Sequence, residues 1–511
     1  MTHGAGSAHR PPTHDGPLLA RNATLNLLGQ VAPALAALVS LPVLARLHTR
    51  EVLGLLTLSW VIVGYFGLFD LGLSRALTQL VAARLGAGRR EPIPGLIWTA
   101  SLSLAGVGAA GGLLMLASSN WIVTSALHIS PLLVGDARLA VQLIAVSLPF
   151  VTVSSGLRGV LEAYQRFDLV SLVRSPSSGL MYLGPAAAAM FSRSLALAVA
   201  VLVVVRIAAC GAYVLCALRV EPALRDGIRP SASGWRELAG SGAWLMVANI
   251  GSSALGYVDR LVVGAVVPAA ALAYYATPQE VVTKVLIIPA AISGVVFPAF
   301  SAVPDSERDR LARLFGRSIR YSFLLLFPVT LLIAAAAPEA LTLWVGRDFA
   351  AQGTVPTQWF CLGLLANGLA LTPFSFVQAR GGASTVASLQ VLELPLFVGA
   401  MWMVTGRYGI TGAAAVWALR AAADLLILAI ASRLQVPELR GMGRSIAAGC
   451  VAVPLAFLII GATSPLTGRI AAAATVLGAV AVVAIVTADR MERDWVHGVW
   501  CRVRGFGRSP R

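Results

Sequence analysis

Apolar residues recur along the whole chain in runs of eighteen or more, separated by short polar or arginine-bearing segments. Each run is long enough to cross a hydrocarbon layer of roughly 30 Å as a helix. Short alternating segments, the signature of a membrane barrel, do not occur. The pattern predicts spans near 19–47, 52–82, 93–117, 139–160, 167–191, 194–218, 238–266, 271–300, 317–337, 355–379, 383–405, 409–433, 443–462 and 467–488. Proline and glycine punctuate several of them, as at Pro33 and Pro42, Pro176 and Pro185, and Pro289 and Pro298. Such breaks are tolerated in membrane helices where a neighbour or a cavity satisfies the freed backbone.

Composition supports this pattern. Hydrophobic residues make up 57% and charged residues 12%, with a mean hydropathy of +0.79. Soluble domains carry about 25% charged residues. A net charge of +16 could point to nucleic acid, but no such partner is expected, because basic residues in a multi-span protein gather in the cytoplasmic loops. With both termini inside, 26 of the 39 basic residues fall on the cytoplasmic side and six outside: Arg50, Arg138, Arg193, Arg347, Arg407 and Arg469. The other seven lie in spans or at their ends. The expected location is therefore the bacterial inner membrane, with an even number of helices and an uncleaved first anchor.

Two basic segments have the character of interfacial helices. Asp305–Arg320 places Leu311, Leu314, Phe315 and Ile319 on one face, and the tail after Arg490 interleaves Trp495, Trp500 and Phe506 with arginines. Each is expected either on the anionic inner leaflet or as a plain basic loop. The five cysteines lack metal-ligand spacing, and neither a metal nor a cofactor is expected. No catalytic constellation is present either. The six histidines lie at the termini or near span ends, phosphate-loop glycines are absent, and the longest external segment, Ser118–Arg138, offers only Asp136. A transporter rather than an enzyme follows.

A shift of 214 residues superposes five arginine pairs: Arg46 on Arg260, Arg166 on Arg380, Arg193 on Arg407, Arg206 on Arg420, and Arg219 on Arg433. The shift spans six helices, an even number, so it relates two lobes of the same membrane orientation. The fold class expected is an all-α integral membrane protein of about fourteen helices. It divides into a cytoplasmic tail (1–18), an N-lobe of helices one to six (19–236), a C-lobe of helices seven to twelve (237–433), helices thirteen and fourteen (434–489) and a basic tail (490–511).

Arg46, Arg75, Arg174, Arg206, Arg260, Lys284 and Arg420 fall in or at the ends of spans, with Asp70, Glu162, Asp259, Glu280, Glu393 and Asp424 as the acids. A basic residue at the bilayer centre costs about 2.5–3.5 kcal/mol. Seven facing lipid at full depth would cost roughly 20 kcal/mol, more than a typical protein's net stability of about 5–15 kcal/mol. They must snorkel, pair or line water. Lys284 with Glu280, and Arg420 with Asp424, are spaced to pair on one helical face. Arg206 has no acid nearby in sequence, and with Arg420 it is expected to face a water-filled cavity between the lobes. A cavity with surplus arginine suits an anion, since guanidinium binds phosphate oxygens in a fork. Arg206, Arg420, Arg260, Lys284, Arg75 and Arg174 are thus the candidate substrate-binding residues. Asp70, Asp259, Glu280 and Asp424 are candidates for conformational or ion coupling.

Several stretches resemble one known group. They are "GLLTLSWVIVGYFGLFDLGLSRAL" around Asp70, "GLRGVLEAYQRFDLVSLVRSP" around Arg166, "YVDRLVVGAVVPAAALAYYATPQEVV" around Asp259 and Arg260, "VVFPAFS", "LTLWVGRDFA", "FVQARGGASTVASLQVLELP" and "YGITGAAAVWALRAAADLLIL" around Arg420. From about Ala20 to Arg433 the chain resembles the bacterial O-antigen type polysaccharide flippases, the polysaccharide-transport branch of the multidrug/oligosaccharidyl-lipid/polysaccharide exporter superfamily. The resemblance implies two six-helix lobes in a V around a central cavity that opens alternately to either side. It implies an undecaprenyl-pyrophosphate-linked oligosaccharide as substrate, membrane lipids as surroundings, and a polysaccharide polymerase and glycosyltransferases as candidate partners. Peptidoglycan-precursor flippases resemble one another in carrying arginines inside the first span, and drug extruders carry an acid there. Here that span holds neither between Arg21 and Arg46. A non-transporting scaffold of an envelope-assembly complex is the alternative from another class.

Overall fold

The structure, a computed structural model, describes residues 33–68, 72–87, 93–127, 129–231, 234–238, 255–304, 306–437, 453–457, 459 and 466–486. The described residues form helices without a strand. In chain order these are α1 (Pro33–Leu47), α2 (Arg50–Leu68), α3 (Leu73–Gly86), α4 (Ile93–Trp121), α5 (Val134–Ala163), α6 (Phe167–Ala189) and α7 (Leu195–Val220). There follow α8 (255–266), α9 (Ala269–Val282), α10 (Ile287–Ala302), α11 (Arg308–Trp344), α12 (Arg347–Ala379), α13 (Ala383–Gln435), α14 (453–457) and α15 (Leu466–Val486). Seven helical stretches among them are long and apolar enough to cross a membrane.

Two spans expected as single helices are divided. The second runs as α2 to Leu68 and resumes as α3 at Leu73; Asp70 falls outside the described residues. The eighth is α9 and α10, joined by a 3-10 turn at Thr283–Leu286. Conversely, the eleventh and twelfth share the 53 residues of α13, divided by a kink at Gly409. Its φ of 61° and ψ of −150° suit glycine and end the helix locally. Beyond the kink the chain doubles back. Arg420 touches Glu393, 27 residues earlier, whereas a continuous helix would hold them about 40 Å apart.

The helix boundaries repeat at the spacing of the arginines. Adding 214 to the end of α2 at Leu68 gives Val282, the end of α9, and adding it to Leu73 gives Ile287, the start of α10. Within one residue of the same spacing, α4 starts at Ile93 and α11 at Arg308, α5 at Val134 and α12 at Arg347, and α7 at Leu195 against the kink at Gly409. Packing repeats as well: α5 is flanked by α2, α3, α4 and α7, and α12 by α9, α10, α11 and the second arm of α13.

The helices bury their apolar faces in four cores, and the distribution of these cores sets the shape. At the end carrying Arg50 and Arg347, one core joins Leu53, Leu56 and Leu148 of the first half to Ala269, Ala273 and Phe349 of the second. The α2 and α9 backbones approach so closely there that a Cβ on Gly54 would lie 1.8 Å from the Ala269 carbonyl oxygen. The Trp344 indole N–H donates to the Leu38 carbonyl across the same seam at 2.8 Å. At the opposite, arginine-rich end the halves have separate cores, except that Leu238 joins the core of the first half. One is built around Leu77, Leu96 and Leu161, and the other around Phe300, Phe315 and Phe376.

The basic segment expected at the membrane surface is instead the first part of α11. Its apolar face packs on protein: Phe315 lies 6.4 Å from the Phe300 ring and 5.2 Å from that of Phe376, and Leu311 is buried beside them. The aromatic-rich tail after Arg490 lies outside the described residues.

Candidate functional site

Three groups of charged side chains sit within the helices. The first lies at the seam. Asp259 and Arg260 occupy successive positions on α8, while Tyr275, Gln279 and Glu280 project from α9 and Lys284 from the turn after it. Tyr275 and Gln279 both donate to Asp259 Oδ2, at 2.8 and 2.6 Å. Arg260 donates through Nε to Gln279 at 2.7 Å and through Nη1 to Glu280 at 2.9 Å. Lys284 and the Tyr182 hydroxyl complete Glu280, each at 2.6 Å. Tyr182 belongs to α6 of the first half, and its ring packs 5.0 Å from Trp60 of α2. Arg260 and Lys284 both pair with Glu280, whereas buried Asp259 accepts its two hydrogen bonds through Oδ2 alone and leaves Oδ1 without a donor among the described residues.

The second group lies within the second half. Arg420 Nη1 donates to Glu393 Oε1 at 3.1 Å and to Asp424 Oδ2 at 2.9 Å. The guanidinium also stands 5.2 Å from the Phe397 ring. Here one cation serves two carboxylates.

The third group inverts that balance. Arg206 on α7 makes no ion pair among the described residues, and its Nε is buried without a hydrogen-bond partner. Its electrostatic neighbours are Arg158 of α5, Tyr213 of α7, Tyr182 of α6 and Tyr257 of α8. Arg174 of α6, half-buried, shares Arg158 and Tyr213 as neighbours. Glu162 brings a carboxylate to this group, 3.6 Å from Arg158 and an electrostatic neighbour of Arg174. Tyr257 belongs to the second half, so Arg206 has an electrostatic neighbour in each half. Arg75, exposed on α3, forms no ion pair among the described residues.

The repeat explains the contrast. Under the 214-residue shift, Glu393 falls on Gly179, Asp424 on Cys210 and Phe397 on Leu183. The first half therefore keeps the arginine and lacks each group that engages its counterpart. Of the expected candidates, Arg260, Lys284, Glu280 and Asp259 come together at the seam, whereas Arg420 with Asp424, and Arg206 with Arg174, form groups of their own. Tyr182, Tyr275, Gln279, Trp60, Arg158 and Tyr213 were not singled out by their spacing. The legible signal was three polar side chains, Tyr275, Gln279 and Glu280, at helical spacing inside an apolar span.

An all-helical bundle whose helix boundaries recur at one spacing, with a divided helix in each half and buried charge at the seam, defines a polytopic membrane protein. Solved structures share this architecture. A lipid II flippase, MurJ, in an inward closed conformation superposes with a TM-score of 0.70 at 11% identity, covering 93% of this chain and all of that one. An inward-facing multidrug resistance MATE family transporter of the MOP superfamily gives 0.66 at 14% identity, covering 83% and 96%. The sequence is also 30% identical over 409 residues to the Shigella flexneri protein named "Putative O-antigen transporter", covering 80% of this chain and 96% of that protein. Residues 43–352 match the family described as "Polysaccharide biosynthesis protein". The chain belongs to that family.

Proposed function

We propose that the protein is a flippase that carries an undecaprenyl-pyrophosphate-linked oligosaccharide across the bacterial inner membrane during cell-surface polysaccharide synthesis. The observation that carries this reading is the surplus of cations in the first half. Arg206 lies in the helical interior without a carboxylate partner among the described residues, and the three arginines Arg158, Arg174 and Arg206 share the single carboxylate of Glu162. An unpaired buried cation is costly unless an anion or water receives it. A pyrophosphate supplies acceptor oxygens in the geometry a guanidinium fork requires. The sugar would occupy the space between the halves while the polyprenyl tail stays in lipid, and no covalent bond changes.

The division into two six-helix lobes, with helices thirteen and fourteen as an addition, supplies the mechanism. The lobes share a core at the Arg50 end and have separate cores at the arginine-rich end. With the arginine-rich end in the cytoplasm, this is the state that admits substrate from the inner leaflet. Rocking the lobes about the seam opens the other side. The surplus arginines disfavour a cationic cargo, and they favour a phosphate-linked one over a purely structural scaffold.

A deletion strain provides the test. It should lose surface glycan and accumulate the lipid-linked oligosaccharide on the cytoplasmic leaflet, and the wild-type gene should reverse both. Loss of glycan without accumulation would place the protein in synthesis or assembly instead. Reporter fusions after Arg236 and Arg320 should read cytoplasmic and those near Pro268 and Arg347 external. Fusions at Pro268 and Arg320 on the same side would exclude this orientation.

A further inference from the structure

The cluster of Arg420, Glu393 and Asp424 takes no part in the reading above, and its charges do not balance. Both carboxylates converge on a single nitrogen, Nη1, although a guanidinium offers five N–H groups and the Nε of this one is buried without an acceptor. Their oxygens lie 3.1 and 2.9 Å from that one nitrogen, which holds the two carboxyl groups close to each other. Two ionised carboxylates repel at such a distance, and a proton between them turns repulsion into a hydrogen bond. The seam cluster differs in its count, with two cations beside two carboxylates.

Depth strengthens the point. Glu393 is ten residues into α13 and Asp424 eleven residues from its end. Each is therefore about 15 Å from a helix terminus, near the middle of a roughly 30 Å layer. An unbalanced negative charge is most costly there. The side chains of Glu393 and Asp424 nevertheless keep 19% and 30% exposure. Among the groups on packed helices, Tyr275 of α9 faces Arg420 and donates to Asp259 of α8, and Cys361 of α12 lies in the same core as Phe397.

We propose that Glu393 and Asp424 together hold one exchangeable proton, and that this proton is the coupling ion of the transport cycle. The step is a simple protonation: one of the two carboxylates takes up the proton to become a carboxyl group, and releases it from the same oxygen. With the proton bound the cluster is neutral and tolerates a closed, dry C-lobe; without it, the surplus charge favours the hydrated state. A proton bound more tightly in one state than in the other shifts the balance between them. This inference rests on the transport reading.

The experiment uses the full chain in lipid nanodiscs and in vesicles. Infrared difference spectra should show a protonated-carboxyl band that responds to pH and is lost in both Glu393→Gln and Asp424→Asn. In vesicles, movement of a short-chain prenyl-pyrophosphate disaccharide should be driven by an imposed pH gradient in the wild type. In Glu393→Gln the stimulation should be lost, and in Glu393→Asp it should be retained. A band that is absent, or that persists in both variants, overturns the shared proton. A titrating band with no effect of the gradient on wild-type movement overturns the coupling and leaves the transport reading standing. No movement under any condition fails the transport reading and the coupling with it, and the shared proton is then judged on the band alone.

Discussion

Arg206→Ala should lower export of lipid-linked glycan by roughly 10- to 100-fold while the amount of protein in the membrane stays near normal. The magnitude is that of one charge-assisted hydrogen bond to a charged group, about 1.5–3 kcal/mol. Protein level should hold because the side chain makes no ion pair among the described residues, so its removal orphans no carboxylate. Moving a pyrophosphate through a roughly 30 Å apolar layer without compensation is prohibitive, and a cation at mid-depth lowers that barrier. Arg206→Lys should recover part of the loss, since the charge remains and the fork does not. Arg420→Ala should behave differently despite its equivalent position in the repeat. It strands Glu393 and Asp424, and breaking a buried pair costs about 3–5 kcal/mol, so the amount of inserted protein should fall. The measurement is surface glycan per cell, normalised to membrane-inserted protein. Full export by Arg206→Ala would remove Arg206 from the substrate path.

Gly54→Val should abolish cycling by preventing closure at the Arg50 end. Any Cβ at this position meets the Ala269 carbonyl oxygen at 1.8 Å and the Ala269 carbonyl carbon at 2.8 Å. Both are backbone atoms of the opposing helix, so no side-chain rotation relieves the clash. Overpacking of this kind costs about 1–3 kcal/mol or more, and about 3 kcal/mol moves a two-state balance by roughly 100-fold. The population open at that end should rise accordingly. Ala270 lines a cavity of about 610 Å³ there, together with Glu51, Ser130 and Pro268. A cysteine at Ala270 should therefore react faster with a membrane-impermeant thiol reagent when Gly54→Val is present, and glycan export should fall at least tenfold. Wild-type export by Gly54→Val would show that the α2–α9 contact is not an obligatory state of the cycle.

The sequence by itself determined the class of fold, because the constraint is severe and local. A backbone in hydrocarbon must satisfy its own hydrogen bonds, so hydropathy and arginine placement carry most of the information about helical segments. The offset of 214 is visible in the arginines, and helix boundaries recur at or within a residue of it. The pairing of Lys284 with Glu280 and of Arg420 with Asp424 followed from helical spacing and is present. Local pattern was less able to mark where an apolar run breaks. Residues 271–300 are apolar on both sides of Thr283–Leu286, and only packing against neighbouring helices settles that turn. The basic face of α11 had the character of a surface helix, because sequence does not show that Phe300 and Phe376 wait on its apolar side. The difference between Arg206 and Arg420 was also hidden. Glu393 is 27 residues from Arg420 and reaches it because the chain reverses at Gly409, while Tyr182 meets Glu280 from 98 residues away. Ionic partners of this kind are decided by which helices face one another, a property of the assembled bundle to which no single span is committed.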